Sequence, residues 1–580
     1  MKLKTSVNIP AFDSTVSPVV KNDYDFAYSD IIDTLSYDDI INSFDDLGAV
    51  VNYYKDTLAA GYPRSAAFLI DKILRGATAD LGHNSAKAIL LEDLSMMTED
   101  NMATAADVLI SKIAKPSNKK KILFSSGHWL TGGMERVMSV LFRELKDNYE
   151  IFLITPFTET ESRIDVPDFV TNIKINNDLF VKHFDSLILS YALLLNIDVA
   201  IGYMNMFEKQ LNLYNLCAGT KIKTIASNHE YYFYPYKSVG HYQVVEKRLN
   251  AFAKCDAVVW PNSFNAALCG MYIENCYVIG NPNNFDISRR IEANPTEKTI
   301  ICVGRFNDYV KRIDRMLECF SLVLKNQPDA KLVLVGKCDT DAPIGPNDKT
   351  TVNDIIRNLS LPPGSVNFVG EVNNVQDYFS KAKVLMLTSN SEGFGMVLNE
   401  AACFGVPSVC NYIPGIEDII TDGVNGFVTE QNDIDSMASK ICDILSSDAL
   451  QKELSDNATK MVSSFDSVQI GRKWKLLIDG LIEIKGKDGL QRKLNDTIGF
   501  KVADPQLFVS VVSRELNDIF YQAINEIGKH EVSNTLLMLS KIKTLPGRFR
   551  ANIEYEGLFS TGKKVIKRTY LIARNKLIKR

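Results

Sequence analysis

From about residue 24 to 114 the apolar positions recur at helical spacing. "YSDIIDTLSYDDIINSFDDLGAVVNYYKDTLAAGY" sets Ile, Leu, Val and Tyr three and four residues apart, with Ser and Asp placed to start helices. No firm repeat period runs through it, so a helical N-terminal extension is expected over 1–118. The polar, basic "KPSNKKK" at 115–121 serves as a linker. The pattern then changes to short apolar runs separated by helical stretches. "KILFSSG", "YEIFLITP", "DVAIGYM", "KIKTIASNHE", "DAVVWPNS" and "CYVIGNP" read as buried strands, and "GGMERVMSVLFREL" reads as a helix. The alternation restarts at "KTIICVGRF" (298–306) and runs through "AKLVLVGK", "VNFVGEV", "AKVLMLTS" and "PSVCNY". Strands alternating with helices predict parallel sheets covered on both faces. Two such series predict two α/β domains, 119–296 and 297–485. Sheets of this kind bind ligands outside the carboxyl ends of their strands, so two facing domains form a cleft there. After "NGFVTEQND" the pattern is helical again, with Trp474 in the amphipathic "QIGRKWKLLIDGLIEI". A mostly helical extension over 486–580 ends in a basic tail.

Length and composition narrow the function classes. At 580 residues the chain exceeds one core, and 46% hydrophobic with 23% charged residues fits a soluble globular protein. A formal net charge of −5 weighs against nucleic acid as a partner. The first residues hold no apolar core of signal-peptide length, and no run is long enough to span a bilayer, so a cytoplasmic location is expected. The 10 cysteines include no C-x-x-C pair, and most lie in apolar runs, as Cys302 and Cys410 do. They read as buried free thiols in a reducing compartment. The 6 histidines show no metal-ligand spacing. In the tail "KKVIKRTYLIARNKLIKR" (563–580), Val565, Ile566, Leu571, Ile572, Leu577 and Ile578 interleave with the cations. Two readings stay open: peripheral contact with an anionic inner membrane face, and a solvated terminal helix.

Three stretches carry candidate chemistry. "TGGMERV" (131–137) opens a helix directly after a strand, so Gly132 and Gly133 leave backbone N–H groups open to an anion. "VGRFNDYVKRIDRML" (303–317) places Arg305 and Lys311 around a loop at a strand's carboxyl end, an arrangement that suits a diphosphate. "SEGFGMVLNEAACFGVPSV" (391–409) sets Glu392 in a turn and Glu400 inside the helix that follows. A helix starting near Gly395 presents its free N–H groups to phosphate, and carboxylates on either side accept hydrogen bonds from sugar hydroxyls. Glu400 is followed by the apolar "AACFGV", so its carboxylate requires a partner.

These stretches resemble glycosyltransferase family 4 in "EGFG", a second Glu after seven intervening residues, and the small residues and Gly-x-Pro that follow. "GGMERV" resembles the family's Gly-Gly-x-Glu-Arg turn, and "GRFNDYVKRIDRML" its Gly-Arg…Lys-x-x-Asp-x-Leu segment. "DAVVWPNS", "VIGNP", "VNFVGEV" and "DGVNGFV" follow in the expected order, and the likeness covers roughly 119–485. It implies a GT-B fold of two facing Rossmann-like domains and a retaining, metal-independent hexosyltransferase. The implied donor is a nucleotide-diphosphate sugar of UDP or GDP type, with no other cofactor. The implied acceptor is a hydroxyl of a glycan, a lipid-linked sugar or a cell-surface polysaccharide precursor.

The resemblance also assigns roles. Arg305 and Lys311 hold the diphosphate. The backbone of Phe394, Gly395 and Met396 binds the donor's sugar and phosphates, Glu392 the transferred sugar and Glu400 the ribose. Gly132 and Gly133 close on the diphosphate from the other domain. His229 lies near the anomeric centre, and Gly370 and Glu371 lie near the nucleobase. Two departures stand out. Arg312 occupies a position where the family often has glycine, so a changed loop conformation is expected. "KCDTD" replaces a Gly-containing turn after "LVLVG", and its acids read as solvated rather than metal-binding. A non-catalytic adaptor of the same fold is the competing reading. It has no need of Glu392, Glu400, Arg305 and Lys311 together.

Overall fold

A computed structural model of the chain describes residues 18–483 except 81–82, 95, 97–99, 116, 128, 130–131, 157–163, 204–212, 231–247, 272, 286–296, 308 and 346–347; further on it describes 494, 497–499 and 511–512. The basic tail at 563–580 lies outside the described residues.

Two parallel sheets are present. The first joins β1 (Lys120–Ser126), β2 (Tyr149–Pro156), β3 (Thr171–Ile175), β4 (Val199–Tyr203), β5 (Lys223–Ser227), β6 (Ala257–Trp260) and β7 (Cys276–Val278) in the order β3-β2-β1-β4-β5-β6-β7. The second contains β8 (Thr299–Val303), β9 (Lys331–Val335), β12 (Val366–Gly370), β13 (Val384–Leu387), β14 (Ser408–Asn411) and β15 (Gly426–Thr429), ordered β12-β9-β8-β13-β14-β15. Between β9 and β12, β10 (Pro343–Gly345) and β11 (Asp348–Thr351) form a small antiparallel hairpin. The apolar runs read as strands are all strands here. Within the parallel sheets the pattern did not reveal β3 and β15, two of the four edge strands; the edge strands β7 and β12 were read.

In the second sheet the strand order reverses between β8 and β13, which pair directly. A ligand crevice forms where the loops leaving two such strands diverge. The loop after β8 carries Arg305 and Lys311, and the loop after β13 carries Glu392. Topology therefore brings the two cations and the turn to one place. The first sheet reverses between β1 and β4, and Gly132 and Gly133 follow β1.

Both ends of the described chain pack differently from a linear division. The N-terminal helices do not close a core of their own. Ile70, Ile73, Leu74 and Ala77 of the helix Pro63–Asp80 share one buried cluster with Phe184, Leu187, Ile188 and Tyr191 of the helix Asn177–Leu194 and with Leu123, Phe152 and Ile154 of the first sheet. Arg64 ties the layers together. Its buried guanidinium donates to the carbonyls of Leu216 and Ala218, to the latter at 2.9 Å, and to Ser29 Oγ at 2.8 Å. Asp25 accepts from the backbone N–H groups of Arg64 and Ser65 at 2.9 and 2.7 Å. The last described helix, Ser467–Glu483, returns from the second unit to the first. Tyr149 Oη donates to Asp479 Oδ1 at 2.6 Å and Ser467 Oγ to Glu144 Oε1 at 2.7 Å, while Trp474, Leu477 and Ile478 join a buried cluster that runs through both units.

The shared cluster makes residues 18–114 part of the first unit. Deleting residues 1–114 is expected to expose the apolar face of the helix Asn177–Leu194 and to give an aggregating protein by light scattering. A monodisperse, cooperatively melting 115–580 fragment would contradict the shared core.

Candidate active site

The loop after β8 ends in a 3-10 turn, Tyr309–Lys311. Thr388, just past β13, fastens it: Thr388 Oγ1 donates to the carbonyls of Lys311 and Arg312 at 3.0 and 3.2 Å, and Asn390 N–H donates to the Val310 carbonyl at 2.8 Å. Asn411 in β14 holds Thr388 in turn, at 3.0 Å. Arg312 takes φ +52°, the left-handed backbone that glycine adopts freely. A left-handed non-glycine costs about 1–2 kcal/mol, offset here by a guanidinium bound to both Asp314 oxygens (2.7 and 2.9 Å) and 3.3 Å from Asn390 Oδ1.

Alongside runs the glutamate turn. Lys311 Nζ lies 2.7 Å from Glu392 Oε1. Gly393 follows, and a Cβ there would lie 1.8 Å from the backbone carbonyl oxygen of His229, so only glycine lets the two units meet at this point. Asn262 of the first unit grips the same turn, its Nδ2 donating to the Gly393 carbonyl at 2.7 Å. Phe394 is buried edge-on against Phe465, ring centroids 5.2 Å apart. Gly395 takes φ +87° and starts the helix Met396–Cys403 with no side-chain cap; the Leu398 N–H donates to the Gly395 carbonyl at 3.0 Å, and the N–H groups of Met396 and Val397 are left for an anion. Across the cleft, a Cβ on Gly133 would lie 3.9 Å from the Met396 side chain, so the Gly132–Gly133 turn faces this helix start.

Glu400 is 8% exposed, in the middle of that helix. Its Oε1 accepts from Asn284 Nδ2 at 3.0 Å and lies 4.0 Å from Arg136 Nη1. Both partners belong to the first unit and its outgoing segment. Burial raises the Glu400 pKa, while Arg136, Asn284 and Lys311 pull it down. His229 stacks on Tyr203 (centroids 4.3 Å apart) and places Nε2 2.9 Å from Ser227 Oγ. Burial lowers its pKa to about 3, so the ring is neutral across the physiological range.

The fold thus gathers Gly132, Gly133, His229, Lys311, Glu392, Phe394, Gly395, Met396 and Glu400. Arg305 is exposed just beyond β8. Gly370 ends β12 with φ +79°, and Glu371 is exposed beside it, two strands from β8 along the same sheet edge. Arg136, Asn262, Asn284 and Thr388 were not singled out in the sequence. Arg136 lies within the noted "TGGMERV" motif, but nothing local pairs it with Glu400. All ten cysteines are free, eight of them buried. Among the described residues no cluster of three or more His, Cys, Asp or Glu side chains is arranged to hold a metal ion, and no helix is long and apolar enough to cross a membrane.

A second contact between the units is electrostatic. Ser263 N–H, at the start of the helix Ser263–Gly270, donates to Asp418 Oδ2 of the second unit at 2.5 Å. Burial nevertheless raises the Asp418 pKa to about 6; Glu417 adds to the rise, and the Ser263 hydrogen bonds and Lys473 oppose it.

The two facing parallel sheets have the GT-B architecture. Sucrose-phosphate synthase from Thermosynechococcus elongatus superposes with a TM-score of 0.53 at 19% identity, covering 63% of this chain and 99% of that one. Residues 283–461, most of the second unit, match the family model described as Glycosyl transferases group 1. An uncharacterised glycosyltransferase of Haemophilus influenzae is 26% identical over 59% of this chain and 95% of its own length. The Campylobacter jejuni protein named GalNAc-alpha-(1->4)-GalNAc-alpha-(1->3)-diNAcBac-PP-undecaprenol alpha-1,4-N-acetyl-D-galactosaminyltransferase is 24% identical over 62% of this chain and 98% of its own. These matches support a glycosyltransferase of GT-B architecture.

Two tests follow from the inter-unit contacts. Gly393→Ala puts a methyl group into the His229 carbonyl and is expected to separate the units, increasing the radius of gyration in small-angle scattering; an unchanged value would remove this contact from the closure. Asp418 has a native pKa near 6, above its unfolded value. The folded protein therefore binds more protons between about pH 4 and 6, and stability falls as pH rises through that window. Asp418→Asn is expected to raise Tm at pH 8 and to change it little at pH 4. An equal shift at both pH values would refute the assignment.

Proposed function

We propose that the protein is a retaining, metal-independent hexosyltransferase. It moves a sugar from a nucleoside-diphosphate donor, of UDP or GDP type, to a hydroxyl of a glycan, glycolipid or cell-surface polysaccharide precursor. The observation that carries the reading is the assembly of Lys311, Glu392 and the uncapped helix start at Gly395 on the loops leaving β8 and β13, opposite His229 and Gly133. The group 1 match over the same unit supports it, and the activity for which the Campylobacter relative is named supports a lipid-linked acceptor.

In this reading the bond from the anomeric carbon to the phosphate oxygen breaks first, and the electron pair leaves with the diphosphate. Lys311, Arg305 and the N–H groups at Met396 stabilise that growing charge. Glu392 accepts hydrogen bonds from hydroxyls of the transferred sugar, and Glu400 accepts from the ribose. The acceptor hydroxyl attacks from the face the phosphate leaves, and a phosphate oxygen takes its proton, so the configuration is retained. His229, neutral and fixed by Ser227 and Tyr203, contributes a hydrogen bond near the reacting carbon rather than a charge. A non-catalytic adaptor has no use for this convergence of groups.

Thermal-shift measurements with UDP, GDP and ADP are expected to raise Tm for at least one of them; no shift with any would overturn the reading. Glu392→Ala is expected to lower transfer by at least about 100-fold with the circular dichroism spectrum unchanged. Wild-type turnover in that variant would refute the role of Glu392.

A further inference from the structure

Lys311 and Glu392 are each other's partners at 2.7 Å, with 19% and 17% of their side chains exposed. Both are anchored through the backbone. Thr388 holds the Lys311 carbonyl, and the residue after Glu392 rests on His229. These backbone contacts hold the two turns, and so the roots of the two side chains, beside each other. Donor binding nevertheless asks opposite things of them: the ammonium is to meet a diphosphate, and the carboxylate is to meet sugar hydroxyls. One ammonium carries one positive charge, and in this geometry Glu392 already neutralises it. A diphosphate reaching Lys311 brings its own negative charge close to that carboxylate. At a site mostly withdrawn from water, like charges this near repel more strongly than in bulk solvent.

We propose that the Lys311–Glu392 pair makes the site discriminate the sugar-bearing nucleotide from the bare nucleoside diphosphate, and so promotes release of the spent nucleotide after transfer. The inference rests on the donor-binding reading above. While the sugar is attached, its hydroxyls donate to Glu392 and stabilise the carboxylate, so Lys311 is available to the diphosphate. Once the sugar has been transferred, those donors leave with it. Glu392 then opposes the diphosphate by charge and competes with it for the ammonium. Glu392, which serves the sugar before transfer, is thus the residue that weakens the grip on the product.

The test is isothermal titration of the full-length protein with UDP, GDP and ADP, comparing wild type with Glu392→Gln and Glu392→Asp. Glu392→Gln keeps the shape and removes the charge. It is expected to tighten the nucleoside diphosphate that binds wild type by roughly tenfold, while Glu392→Asp, which keeps the charge, stays within about threefold of wild type. Equal or weaker binding to Glu392→Gln, in a variant whose melting curve matches wild type, overturns the inference and leaves the donor reading standing. Equal tightening by Gln and Asp also overturns it, because shape rather than charge would then be responsible. If none of the three nucleotides binds any of the proteins, the donor reading fails and this inference fails with it.

Discussion

The cleft depends on one close approach, the backbone of Gly393 against the carbonyl of His229. At that point no side chain fits between the two units, and the consequences spread outward. Glu392 on one side of Gly393 is set against Lys311. Phe394 on the other is driven into the apolar space beside Phe465. Gly395, two residues on, turns left-handed and begins a helix whose first N–H groups lie opposite Gly133. A turn of four residues thus serves as the mechanical contact between the units and as the centre of the candidate donor site. Any ligand in the cleft bears on the same residues that hold it together.

Charge is distributed along this interface with few surplus groups. Glu400, buried in a mostly apolar helix, is met by Asn284 and Arg136 from the other side. Asp418 is met by the amino end of a first-unit helix. Burial raises the pKa of both acids above what their partners offset, and they differ in those partners. Glu400 has a cation and an amide turned toward it and lies on the cleft. Asp418 is held by a backbone N–H and makes closure sensitive to protons. His229 contributes no charge, since burial strips its proton well below neutral pH, and it acts as a shaped hydrogen-bonding surface backed by Tyr203.

Much of this arrangement was legible along the chain. Buried parallel strands are apolar from end to end, so the central strands of both sheets announced themselves, whereas the edge strands β3 and β15 did not. The glycine pair at 132–133, the cation loop at 303–317 and the glutamate turn at 391–400 each showed chemistry suited to a phosphate or a sugar, and a resemblance joined them into one site. Arg312, where glycine is common, takes a left-handed backbone, and its guanidinium is held by neighbouring Asp314 and Asn390.

The sequence by itself determined the two α/β units, the loops that carry function and the residue types able to handle a diphosphate and a sugar. These follow from local periodicity and from side-chain chemistry, which neighbours in sequence suffice to express. Only the tertiary structure decided that the N-terminal helices share the first unit's core and that the helix Ser467–Glu483 crosses back to that unit. It also decided that Lys311 pairs with Glu392, that Arg136 and Asn284 turn toward Glu400, and that Gly393 must be glycine. Each of these is a contact between segments far apart along the chain, set by strand order and close packing, and no local pattern encodes which distant surface will arrive there.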